Sequence, residues 1–362
     1  MSLRKGLIFF ILLVFGSSAV ILFKSVDKET ISSLINADKR FFLLAFGLIL
    51  VAWVCDTGRF CALAKAAGEK VSFKMGMILT WLHYFGCAVT PMQSGGGPFQ
   101  VYLLYKKGVP IGKGIAITTL RTMLTVLILT LVVPFALHVN PTLLDGSPFI
   151  KGLVRYVFVV ILCTWAFIVF TVISPRIFKR LGKSIAVRLR SVKWLSLSKV
   201  KKTCRWLDRE MDNYSNDFKM TVSRRGAPYT LLAVALSVAH LLCIFSVLPM
   251  LMLAVGLPFN YSQTLVVQAV FTFVLYFIPT PGASGVAEGG GAFLFGMLMP
   301  PNMAGVMAII WRFFTEYISI FMGVAVVIKM LGWGVMEDVS HEDAAIVVAA
   351  EEKAANPYPP LS

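Results

Sequence analysis

The chain has 362 residues, 57% of them apolar and 14% charged, with Lys+Arg 34 against Asp+Glu 18 for a formal charge of +16. Soluble domains run closer to half apolar and a quarter charged, so a soluble enzyme, a disordered protein and a single-anchor protein are excluded. The positive excess gathers in one loop between apolar runs, which suits anionic lipid at a membrane surface and argues against nucleic acid.

Arg4 and Lys5 precede the uncharged run 6–23, which is long for a cleaved signal and is followed by many more apolar runs, so a retained first helix is expected. The remaining runs are 41–63, 75–105, 114–138, 152–173, 228–248, 262–298 and 303–328. Two of them are interrupted. Thr90-Pro91-Met92-Gln93-Ser94-Gly95-Gly96-Gly97-Pro98 breaks 75–105, and Ile278-Pro279-Thr280-Pro281-Gly282-Ala283-Ser284-Gly285 breaks 262–298. Proline and glycine at that density end a helix. Non-helical backbone at membrane depth survives only where protein or a water-filled cavity covers it, so both stretches read as re-entrant hairpins.

Charge counting supports this for the first break. With the N-terminus inside, cytoplasmic segments collect 24 Lys/Arg, 15 of them in 174–227, against 5 outside. A single crossing at 75–105 would turn those 15 outward, against the positive-inside rule. Charge is too sparse to decide the second break, but an internal repeat bears on it. Thr90-Pro91-x-x-Ser94-Gly95 recurs as Thr280-Pro281-x-x-Ser284-Gly285, and an arginine follows in the next apolar run each time, Arg121 and Arg312. The expected architecture is an all-α polytopic membrane domain, 1–332, with about six full transmembrane helices and two re-entrant hairpins in an inverted repeat. Both termini then lie in the cytoplasm.

Residues 174–227 read as a basic cytoplasmic loop, either interfacial amphipathic helices or a solvated loop. The segment 333–362, rich in Ala and Glu and ending near Pro357-Tyr358-Pro359-Pro360, reads as a disordered tail. Six cysteines without a CxxC spacing suggest neither a disulfide framework nor a metal site. No cofactor motif is present; the glycine runs 95–97 and 289–291 lack a following Walker lysine.

The run from Thr90 to Leu104, followed by Lys106-Lys107-Gly108-Val109-Pro110, and the run Pro279-Thr280-Pro281-Gly282-Ala283-Ser284-Gly285-Val286-Ala287-Glu288 resemble the two signatures of the lysylphosphatidylglycerol synthase transmembrane-region family, also called flippase-like domain proteins. The resemblance covers about residues 5–332. It implies an inner-membrane protein that moves lipids or lipid-linked sugars between leaflets, in some members beside a fused soluble synthase, for which this sequence has no counterpart. Gly97 stands where the first signature often carries glutamate, which puts in doubt any mechanism needing an acid in both hairpins.

Ionisable residues inside a span must face protein or water. Here they are Asp56, Arg59, Arg121, Glu288, Arg312 and Glu316. Asp56 with Arg59 reads first as an intrahelical structural pair; Arg312 with Glu316 reads equally as a structural or a functional pair. Arg121 has no acid within a helical turn, and pseudo-symmetry nominates Glu288 as its partner. The candidate substrate site comprises Arg121 and Arg312 as phosphate ligands and Glu288 and Glu316 as charge balance or proton acceptors. Pro91, Gln93, Ser94, Gly95, Gly96, Pro281, Ser284 and Gly285 would form the tips. Gln93, Ser94 and Ser284 serve as well to satisfy freed backbone groups, and His83 and His240 fit packing better than ligation. The leading function is a lipid transporter or flippase, not an enzyme, that binds anionic phospholipid or lipid-linked sugar. Alternatives are a membrane enzyme or accessory subunit acting on polyprenyl-linked sugars, and a scaffold for a lipid-modifying enzyme.

Overall fold

A computed structural model of the chain describes residues 3–139, 155–163 and 226–330, with isolated positions between them. The loop 174–227 and the tail 333–362 therefore lie almost wholly outside the described residues, as does half of the predicted span 152–173. The described residues are helical and contain no strand. Four helices among them are long and apolar enough to cross a membrane: Lys39–Ala66, Ile111–Phe135, Ala227–Ala254 and Pro301–Met330.

In order, the helices are α1 (Leu3–Ser25), α2 (Lys28–Ile35), α3 (Lys39–Ala66), α4 (Phe73–Val89), α5 (Gly96–Lys106), α6 (Ile111–Val139), α7 (Ala227–Ala254), α8 (Tyr261–Leu275), α9 (Val286–Phe295), α10 (Pro301–Arg312) and α11 (Ile318–Met330). A π-helical turn, Phe313–Tyr317, joins α10 to α11. Sequence alone did not reveal α2. It is fixed by its N-cap, where Asp27 Oδ1 accepts the Thr30 N–H at 2.7 Å and Oδ2 accepts from Asn302 Nδ2 at 2.9 Å. Those bonds, Thr30's first, hold the Asp27 carboxyl below its ordinary range.

The repeat extends well beyond the two breaks. Helices α3 to α6 have 28, 17, 11 and 29 residues, and α7, α8 and α9 have 28, 15 and 10; the last pair is matched by the 30 residues of Pro301–Met330. Small signals recur in register. Gly68 and Gly256 both take left-handed φ, 80° and 73°, after the first helix of each half. Ser72 then caps α4 through Met75 N, and Asn260 caps α8 through Gln263 N.

The halves run in opposite directions. Asp38 N–H donates to Ala254 O at 2.8 Å, His240 Nδ1 donates to Ala52 O at 3.0 Å, and the Lys65 ammonium lies 4.7 Å from the Tyr229 ring centroid. The start of α3 thus meets the end of α7, and the middles meet. Because α3 and α7 are repeat equivalents, antiparallel packing makes the halves inverted copies. The partner exchange agrees, since α4 packs on α11 as α8 packs on α6.

Both breaks end helices where proline removes the N–H that would continue the ladder. At 17 and 11 residues, α4 and α5 reach about 25 and 17 Å, each short of the ~30 Å hydrocarbon core. The two breaks touch: Pro91 and Pro281 form an isolated antiparallel bridge, and Gly282 N–H donates to Cys87 O at 3.2 Å. The first tip is compacted by glycine. A Cβ on Gly86 would sit 2.7 Å from Gly95 O, and one on Gly96 would run into the His83 ring. The principal apolar core lies among α3, α7 and the second half, around Phe271, Phe295 and Trp311.

Candidate functional site

Two polar clusters flank the meeting point of the breaks. In the first, Asp56 on α3 is fully buried and accepts from Arg59 Nε at 2.5 Å, from Arg121 Nε at 3.0 Å and from Arg121 Nη2. Arg59 Nη1 also donates to Thr125 Oγ1 at 2.7 Å. The intrahelical pair expected of Asp56 and Arg59 is present, but it is only half of the arrangement. Arg121 finds its acid on α3, not in the second hairpin, which corrects the pairing nominated by pseudo-symmetry. The repeat fails there because 190 residues before Glu288 stands Pro98; the first half takes its carboxylate from the preceding helix instead.

The second cluster belongs to Glu288, also fully buried. Its Oε2 accepts the Gly285 N–H at 2.6 Å and Ser17 Oγ at 3.4 Å, while Oε1 accepts Tyr317 Oη at 2.7 Å and stands 3.5 Å from Arg312 Nε. Arg312 also donates through Nη2 to Gly282 O. Its ion pair is with Glu288 on α9, while Glu316, four residues on, lies beyond ion-pair distance but remains an electrostatic neighbour. Ser284 Oγ donates to Pro281 O at 2.8 Å, so it satisfies the tip's own backbone.

These clusters leave the halves chemically unequal. The first turn of α9 carries Glu288, which occupies the positive end of that helix with its own carboxylate. The first turn of α5 carries no acid. Beside α5 lies a cavity of about 580 Å³, with Arg59 and Arg121 at its base, Gln93, Ser94 and Gly97 along the tip, and Val101, Tyr102, Tyr105, Ile111 and Ile115 as apolar walls. A Cβ on Gly97 would have only Thr118 Oγ1 near it, at 3.9 Å, so the position often held by glutamate is here open space facing the cavity. Two guanidiniums share one carboxylate, and the surplus positive charge faces this cavity. A buried unbalanced cation is costly unless an anion or water meets it, and paired guanidiniums suit a planar, multidentate oxyanion such as phosphate.

A second cavity of about 80 Å³ lies between the halves and shares Arg59, His83, Gln93, Arg121 and Tyr276 with the first. Glu316, on the π-helical turn, lines it from the opposite half.

Of the residues predicted for the site, Arg121, Gln93 and Ser94 line the large cavity, and Glu316 lines the small one that adjoins it. Arg312, Glu288, Ser284 and Gly285 form the self-contained second cluster. Pro91, Pro281, Gly95 and Gly96 build the touching tips. Arg59 reads in sequence only as Asp56's partner, and with Arg121 65 residues away no sequence signal shows that Asp56 serves both arginines. His240 is bonded to Ala52 O, while His83 packs against Gly96 and lines both cavities. Among the described residues no group of three metal-ligating side chains occurs.

The profile of the lysylphosphatidylglycerol synthase TM region matches residues 6–323. A UPF0104 membrane protein of Archaeoglobus fulgidus is 25% identical over 317 residues, covering 86% of this chain and 93% of its own. A second UPF0104 membrane protein, of Methanocaldococcus jannaschii, is 24% identical over 320 residues, covering 84% and 89%. The profile match takes in both broken segments and both polar clusters, and the chain belongs to the lysylphosphatidylglycerol synthase transmembrane-region family.

Proposed function

We propose that this protein moves phosphate-bearing lipids between the leaflets of the cytoplasmic membrane, with the lipid phosphate held by Arg59 and Arg121 in the cavity of the first half. The two broken segments act as re-entrant hairpins whose tips meet near mid-membrane, and both termini are cytoplasmic. The single observation that carries this reading is the surplus guanidinium charge at the base of a cavity with apolar walls. A headgroup phosphate fits the charged base, and acyl or isoprenoid tail fits the gap between α5 and α6, where Tyr105 and Ile115 are exposed. Arg312 is no longer assigned to the phosphate, because Glu288 and Gly282 already engage it. No catalytic role is assigned to any residue.

Leaflet transfer of tail-labelled phosphatidylglycerol in proteoliposomes, read by dithionite quenching, tests the proposal. Arg121→Gln removes the bidentate fork but leaves Asp56 and Arg59 as a neutral pair. Losing one or two charge-assisted contacts worth about 1.5–3 kcal/mol each should slow transfer at least tenfold. Wild-type transfer by folded Arg121→Gln protein refutes the assignment.

A further inference from the structure

Inside the domain three cations, Arg59, Arg121 and Arg312, face three acids, Asp56, Glu288 and Glu316. Two acids are committed: Asp56 to Arg59 and Arg121, Glu288 to Arg312 and the first turn of α9. Glu316 is different. Among the described residues it makes no ion pair and no hydrogen bond, yet it lines the small cavity that Arg59 and Arg121 also line. It sits on a π-helical turn, an irregularity that re-aims side chains and recurs at functional positions.

The charges then add in one direction. With Glu316 ionised the six groups sum to zero; with Glu316 protonated they sum to +1. A lipid phosphodiester entering at Arg59 and Arg121 brings one negative charge. Neutrality is kept only if Glu316 gains a proton as the phosphate arrives. We propose that Glu316 is a resident counter-anion for the arginine pair, displaced by protonation when substrate phosphate binds, so that anion binding and proton uptake are one linked event. The inference rests on the proposed phosphate site and adds its coupling.

The charged and titratable groups around the cavity that Glu316 lines come from both halves. From α3 comes Arg59 and from α6 Arg121, both fixed cations. From α4 come His83, Tyr84 and Cys87, and from α7 His240. Tyr276 follows α8, and Arg312 and Tyr317 flank Glu316 on its own element, with Glu288 beyond them. His240 is bonded to a backbone carbonyl and His83 is wedged against Gly96, and neither has the surplus arginine charge to balance. Glu316 combines a titratable carboxylate, no ion pair or hydrogen bond of its own among the described residues and a place on the cavity that Arg59 and Arg121 line, while Arg312, the cation beside it, is already bonded to Glu288 and Gly282.

The test is calorimetric titration of the full chain in detergent with dioctanoyl phosphatidylglycerol, a soluble diester that keeps one charge from pH 5 to 8. Measurements in two buffers of different ionisation enthalpy count the protons taken up. The proposal expects wild type to bind with net proton uptake approaching one per lipid, with Kd rising up to tenfold per pH unit. Glu316→Gln should bind with no uptake and a flat Kd over the same range, and Arg121→Gln should lose binding. Binding that depends on Arg121 but takes up no proton, or uptake that persists in Glu316→Gln, overturns the coupling and leaves the phosphate site standing. Absent binding in wild type, or binding unaffected by Arg121→Gln, overturns the phosphate site and the coupling with it. Gel-filtration profiles of the three proteins separate misfolding from these outcomes, and Glu316→Asp, which keeps the carboxylate, should restore part of the uptake.

Discussion

Replacing Asp56 by asparagine probes the arrangement on which the cavity depends. In the native cluster one carboxylate receives three charge-assisted hydrogen bonds, one from Arg59 and two from Arg121. Asp56→Asn leaves two guanidiniums facing each other across a neutral amide. Breaking a buried ion pair in this way costs about 3–5 kcal/mol. Arg121→Gln also removes two bonds, but Asp56 and Arg59 remain a neutral pair, so a smaller loss of about 2–3 kcal/mol is expected. The double variant, Asp56→Asn with Arg121→Gln, restores the wild-type count of one surplus cation and should be more stable than Asp56→Asn alone. A coupling of about 1–3 kcal/mol between the sites is expected, the usual range for contacting residues.

Thermal melting in detergent with a thiol-reactive fluorophore is a direct assay, since Cys55 and Cys87 are buried and become reactive on unfolding. At about 2 °C per kcal/mol, the low end for large chains, Asp56→Asn should melt about 6–10 °C below wild type. The ranking carries the test, because such melts are irreversible. Wild-type melting by Asp56→Asn, or a double variant less stable than Asp56→Asn, would contradict the shared-carboxylate reading.

Two glycines separate fold from function. Gly86→Ala places a Cβ 2.7 Å from the Gly95 backbone oxygen and should lower the melting temperature through an overpacking cost of about 1–3 kcal/mol. Gly97→Ala meets nothing closer than 3.9 Å; it should melt like wild type while slowing leaflet transfer by narrowing the cavity mouth. Cysteines replacing Pro91 and Pro281 should cross-link on mild oxidation in a background without native cysteines, because residues paired across an antiparallel bridge lie within disulfide range; no cross-link means the tips do not touch. The Asp27 carboxylate has its pKa lowered on folding, so its contribution is present above about pH 4 and lost as pH falls through the folded value. The protection factor of the Thr30 amide should therefore fall only at acid pH, and in Asp27→Ala it should be low throughout.

The architecture was readable because breaks and repeat leave marks in short stretches of sequence. Proline and glycine at 90–98 and 278–285 announce helix ends, and Thr-Pro-x-x-Ser-Gly recurs 190 residues on, within two residues of the spacing of the flanking marks. The extent of that repeat was harder to see, since its other marks are single residues, Gly68 with Gly256 and Ser72 with Asn260, whose roles depend on backbone φ and capping geometry. The site was legible only in part. Intramembrane charge singled out the six ionisable residues of the two clusters and the small cavity, yet the partner of Arg121 lies 65 residues away on a helix whose rotation no periodicity fixes. Symmetry suggested Glu288 and misled, because the halves share a backbone plan while their acids come from different elements. Arg59 was dismissed for being paired, although a carboxylate has lone pairs for two guanidiniums. The π-helical turn under Glu316 has no sequence mark beyond an apolar run, and only the packed structure places Glu316 on a cavity that Arg59 and Arg121 also line.

Native mass spectrometry of the protein released gently from its own membrane measures the central claim most directly. Wild type should retain about one phosphate-bearing lipid per chain, and Arg121→Gln, folded and otherwise intact, should emerge without it. Equal retention of the same lipid by both proteins, or retention only of lipids that carry no phosphate, would contradict the account.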